Sequence, residues 1–156
     1  MPNKLVRWSC VVVWMIVIFA FSHQPYSGKV TEKYFGGANV PIRKMGHVTE
    51  FMILFLLVRW AISIPGVSGT KPDSDTTGGV DGAAVSPVKK ILTPSVIAFM
   101  FAITYAATDE WHQSFVPGRS SNWNDVAVDA CGVSAGAILL AIARSARRRR
   151  SLESER

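Results

Sequence analysis

Asp109-Glu110-Trp111-His112-Gln113 stands at the end of an apolar stretch and runs on through Phe115-Val116-Pro117-Gly118 to Arg119. Ionisable groups beside a hydrocarbon-grade segment are costly and persist where they face a wet cavity or a helix-bundle interior. Lys44, His47 and Glu50 follow one another at three-residue steps, and Asp125 and Asp129 are separated by four. At about 100° per residue each of these sets shares one helix face. Carboxylates in unlike surroundings serve as acid, base or nucleophile, and imidazoles carry protons. Asp109, Glu110, His112, His47 and Glu50 are therefore the candidate catalytic groups. Lys44, Gln113, Arg119, Asp125 and Asp129 are the candidate substrate-binding groups, with Arg119 a clamp for phosphate or carboxylate.

Each group also has a plainer reading. Arg43, Lys44 and Arg119 are of the type that anchors helices at headgroup level; that role suits Arg43 best, whereas Lys44 shares the face of His47 and fits either role. Asp125 suits the N-cap of the last helix, and Trp111 suits the headgroup zone. His23 lacks helical neighbours of its own kind and stays outside the set. The cluster as a whole also reads as a buried ion network in which Lys44 and Arg119 neutralise carboxylates. His47, Glu50, Glu110 and His112 offer nitrogen and oxygen ligands for a divalent metal. Their spacing matches no standard ligand pattern, so no metal ligand is assigned and no cofactor is named.

The elements that must position these groups are apolar. Of 156 residues 49% are hydrophobic, gathered into four runs, 5–21, 45–64, 91–107 and 126–143. Each is near the roughly 20 residues that cross about 30 Å of hydrocarbon as a helix. The expected fold is all-α, a single integral membrane four-helix bundle over 1–156 whose partner is the lipid bilayer. The first run reads as an uncleaved signal anchor. The net charge of +6 lies mainly in Arg144, Arg147, Arg148, Arg149 and Arg150 after the fourth run. There it marks a cytoplasmic flank and not a nucleic-acid surface. Of the 17 Lys and Arg, only Lys29, Lys33, Arg43, Lys44 and Arg119 then fall outside, which places both termini in the cytoplasm. All the polar helix ends meet at the outer leaflet.

Residues 65–90, rich in Gly, Pro, Ser, Thr and Asp, read as a disordered cytoplasmic linker. Tyr26, Tyr34 and Phe35 in loop 24–41 suit the headgroup level, but the loop's conformation is not legible. Cys10 and Cys131 are expected as buried thiols. Gly132 and Gly136 form a small-xxx-small pair for close backbone approach.

Four pieces, Phe-Ser-His-Gln-Pro (21–25), Lys44-x-x-His47-x-x-Glu50-Phe51, Asp109-Glu110-Trp111-His112-Gln113-Ser114-Phe115-Val116-Pro117-Gly118-Arg119 and Asp125-Val126-x-x-Asp129-x-x-Gly132-x-x-x-Gly136, resemble the VanZ-like membrane proteins in content and order. The resemblance covers nearly the whole chain apart from the linker. Departures are Phe51 where the family often has Tyr, His23 where Ser is common and Asp129 where Asn is frequent. The resemblance implies a multi-span bacterial membrane protein whose namesake is linked to low-level resistance to the glycopeptide teicoplanin; it carries no mechanism. Two functions stand side by side: an enzyme acting at the outer leaflet on a lipid-linked or cell-envelope substrate, and a non-enzymatic binder of a lipid headgroup, glycopeptide or envelope partner. A transporter fits less well, because the spans carry no midplane charges or broken helices. The oligomeric state is not encoded in these patterns.

Overall fold

The computed structural model describes residues 3–63, 93–119 and 121–154. The linker expected over 65–90 lies outside them. Among the described residues every regular element is helical: α1 Lys4–Ser22, α2 Ser27–Phe35, a single 3-10 turn Gly36–Ala38, α3 Asn39–Ile62, α4 Pro94–Gln113 and α5 Trp123–Ser154. The all-α expectation is met.

Local chemistry starts each helix. Asn3 Oδ1 accepts the Val6 N–H at 2.9 Å to cap α1. Thr93 caps α4 through Val96 N–H at 3.3 Å, and Pro94 takes the first position, where a missing N–H costs nothing. Asn122 Oδ1 accepts the Asn124 N–H at the start of α5, so Asn122 supplies the cap expected of Asp125, which lies within the first turn. The second apolar run begins earlier than its hydrophobicity suggested. Pro41 sits in the first turn of α3, where no intrahelical N–H bond is lost. Loop 24–41 thereby contains a helix of its own, α2.

α3 is the central element, packing against α1, α4 and α5, while α4 also packs on α5. Its Phe51, Leu54, Phe55, Val58 and Ala61 fill the core with Val11 and Ile18 of α1 and Val133 of α5. Ala98, Ala102 and Ala106 recur every four residues on α4, a small-residue stripe that brings its backbone close. Gly132 does the same for α5: a Cβ there would overlap the Val48 carbonyl, and at Gly136 it would stand 2.9 Å from the Phe55 ring. Cross-helix hydrogen bonds set the register of α1. The Trp14 indole donates to the Glu50 carbonyl at 3.0 Å, and the Tyr105 hydroxyl of α4 donates to the Met15 carbonyl at 2.8 Å. At the opposite end of α3, buried Arg7 donates to the Ser63 carbonyl at 2.7 Å and lies over the Trp60 ring.

The outward faces stay apolar, with Val13 and Ile16 of α1, Met100 of α4 and Ile138 and Ile142 of α5 exposed. Among the described residues, three helical stretches are long and apolar enough to cross a membrane: Lys4–Ser22, Ser27–Ile62 and Trp123–Ser154. α4 is not one of them. It runs on past the apolar stretch into Asp109 and Glu110, whose charges lower its mean hydropathy. Cys10 and Cys131 are exposed, contrary to the expectation of buried thiols. The inward face of α1 is set by Val11 and Ile18 and that of α5 by Gly132 and Val133, which turns both cysteines outward.

Candidate functional site

The polar groups gather at one end of the helices. α3 carries Lys44, His47 and Glu50; the last turn and a half of α4 carries Asp109, Glu110, His112 and Gln113; the first turns of α5 carry Asp125 and Asp129. The returning loop brings Arg119. Gly118 allows that turn: it stands at φ 77°, and a Cβ there would overlap the Tyr26 ring, while Tyr26 N–H donates to the Pro117 carbonyl at 3.1 Å.

Innermost is a buried chain of hydrogen bonds. Asp109 Oδ2 accepts from the Ser22 hydroxyl and from Gln113 Nε2, both at 2.7 Å. Arg119 Nη1 donates to Gln113 Oε1 at 3.1 Å, and its Nη2 donates to the Phe21 carbonyl. The chain thus ties the end of α1 to α4 and the returning loop. Alongside it, His47 Nδ1 lies 3.4 Å from Oδ1 of Asp129, which is 1% exposed. The direction is poor for a hydrogen bond, and neither atom has another partner among the described residues. The contact is an ion pair when His47 is protonated.

Glu110, past the apolar run of α4, is buried with its Oε1 accepting the Asn122 N–H, while Ser121 donates to its backbone carbonyl at 3.1 Å. Burial raises the Glu110 carboxyl above its ordinary value, against the pull of the Asn122 N–H toward the charged form. Burial, and next the charge of Arg43, draws the Arg119 guanidinium below its ordinary value. Lys44 reaches Asp125 at 3.8 Å on the half-exposed rim, a loose pair of small energetic weight.

Two cavities open here and share Arg43 and His47. The larger, about 360 Å³, is lined by Lys44, Glu110, Gln113, Asn122 and Asp125; the smaller, about 190 Å³, by Ser22, Ser27, Glu50 and Arg119. Lys44, His47, Glu50, Glu110, Gln113, Arg119 and Asp125 therefore border the two cavities, with Asp109 and Asp129 buried behind them. His112 does not join. Its Nε2 lies 3.1 Å from Nδ1 of His23, both rings gathered against Phe19 on the α1 side. His112 thereby stands apart from Glu50, Glu110 and His47, and among the described residues no three His, Cys, Asp or Glu side chains are placed to hold one metal ion.

Ser22 and Asn122 border the cavities without standing out in the sequence, and Arg43, whose type suits a headgroup anchor, lines both cavities. Ser22 lay inside the quoted Phe-Ser-His-Gln-Pro piece, and that was the available signal. His23, which lacks helical neighbours of its own kind, finds its partner His112 on another helix.

Fold and site together define a helical membrane protein with one ionisable, cavity-bearing end. A family model described as VanZ/LLP1 matches residues 8–144, and the chain belongs to that family. No curated protein and no solved structure matches it.

Proposed function

We propose that this chain is a multi-pass protein of a bacterial plasma membrane, with both termini cytoplasmic and α4 as a fourth span. It acts at the outer leaflet on a cell-envelope or lipid-linked substrate by acid–base chemistry between carboxylates and imidazole. The lining of the larger cavity carries this reading: Glu110 borders the same space as His47 and Lys44. Burial favours the protonated form of the Glu110 carboxyl, which suits a proton donor, and an imidazole beside buried Asp129 suits a proton carrier. Lys44 and Arg119 are the anion-binding groups. An altered envelope substrate would account for the glycopeptide-resistance phenotype that the family resemblance implies.

The test is conversion of envelope lipids by the purified protein. Wild type should turn over such a lipid and Glu110→Gln should not; absence of conversion of any envelope lipid by wild type contradicts the enzymatic reading.

Asp109 favours a different role from the one its position in the motif suggests. Its Oδ2 takes two donors and it borders neither cavity, so it positions Gln113 and Arg119 instead of reacting. That ordered chain equally suits a binder of a lipid headgroup, glycopeptide or envelope partner. Saturable binding without turnover is its signature.

A further inference from the structure

Acid–base chemistry in the larger cavity leaves the smaller one unexplained. Arg43, from the first turns of α3, and Arg119, from the loop after α4, both line its roughly 190 Å³. Two guanidiniums facing one small space repel each other unless an anion stands between them. Neither forms an ion pair with a carboxylate among the described residues. Arg119 has two of its nitrogens engaged by Gln113 and Phe21, but its Nε is buried without a hydrogen-bond partner.

The start of α2 supplies the third wall. Ser27 lines the same cavity, and its Oγ is likewise buried and without a partner. Gly28 beside it leaves room for Arg43: a Cβ there would stand 3.1 Å from Arg43 Nη1. Burial and the neighbouring Arg43 charge hold Arg119 below its ordinary value, a repulsion that an anion would relieve. Glu50 is the one carboxylate in the lining. Against two guanidiniums it leaves the wall net positive, and in its protonated form it adds a donor. Planar guanidinium forks with a hydroxyl donor form a set matched to the tetrahedral oxygens of phosphate.

We infer that the smaller cavity binds a phosphate group, held by Arg43 and Arg119 with the Ser27 hydroxyl. The substrate of the adjoining cavity then carries phosphate, either as a lipid phosphate or as the free ion. This rests on reading the polar end as a substrate site. It reassigns Arg43 from a headgroup anchor to a ligand-binding residue.

The full chain in phosphate-free maltoside micelles is titrated calorimetrically with inorganic phosphate and with short-chain phosphatidic acid, at constant ionic strength. Saturable binding of at least one is expected. Arg43→Gln should weaken it about tenfold or more, the scale of losing a charge-assisted contact. Ser27→Ala should weaken it several-fold, and Lys33→Gln on the exposed face of α2 should leave it unchanged. Arg43→Lys, which keeps the charge without the fork, should fall between wild type and Arg43→Gln. Tighter binding of phosphatidic acid identifies a lipid source, and equal binding identifies free phosphate. Absence of saturable binding to either probe, or folded Arg43→Gln binding like wild type, overturns the inference. Arg43-dependent binding without conversion of any envelope lipid would sink only the acid–base reading; conversion of a lipid without phosphate binding would sink only this one.

Discussion

Asp109 owes its place to residues that look unremarkable in sequence. Its Oδ2 is shared between Ser22 and Gln113 in a buried setting. Replacing Ser22 by Ala leaves the carboxylate one donor short, and the expected cost is about 1–3 kcal/mol. The midpoint of thermal unfolding in detergent should drop accordingly; an unchanged midpoint means that the chain contributes little. Glu110 gives a pH signature. Burial raises its carboxyl, so the folded protein binds that proton more tightly than the unfolded chain does. Its contribution is full below the ordinary carboxylate value and is lost as pH rises through the raised one. As pH rises above the ordinary carboxylate value the Glu110→Gln midpoint should therefore decline less than that of wild type; parallel profiles count against this. The reactive types were legible from sequence, because charges beside apolar runs are conspicuous. Their partners were not. Ser22 meets Asp109, and His23 meets His112, only across helices, and no spacing rule within one helix encodes such a pairing.

Among the elements, α3 decides the architecture. α5 reaches it through small residues, Gly132 and Gly136, and α4 buries the small Ala98, Ala102 and Ala106. The glycine pair was readable as a close-approach stripe, but its depth was not: Gly132 lies hard against the Val48 backbone, whereas the nearest neighbour of Gly136 is the Phe55 ring, with Met52 farther off. Backbone yields less than a side chain. Gly132→Ala should cost more stability than Gly136→Ala, with the first in the range of about 1–3 kcal/mol for overpacking. Equal midpoints for the two variants would contradict the close approach of α3 and α5. Helix ends were harder to read than helix centres, because Pro41 is tolerated in the first turn of α3 and α2 lacks a long apolar run. The two cysteines turned outward for the complementary reason: hydrophobicity reports an apolar setting but does not tell a lipid-facing side from a core-facing one.

For the whole molecule, three apolar helical stretches and family membership over residues 8–144 fit a membrane protein whose ionisable groups gather at one end. The proposed topology predicts that Ser121→Cys is labelled from outside intact cells and Ser151→Cys only after permeabilisation; the reverse pattern would turn the site to the cytoplasm. The most direct test of the central claim is a double-mutant cycle on His47 and Glu110, which line one cavity from different helices. Phenotype or turnover is measured for His47→Ala, Glu110→Gln and the pair, at matched abundance in the membrane so that unfolding is not mistaken for lost function. Groups acting in one mechanism lose nearly everything with the first removal. Each single variant should therefore be inactive and the double little worse. If well-expressed single variants keep activity and their losses simply multiply, the two residues act independently and no common site exists.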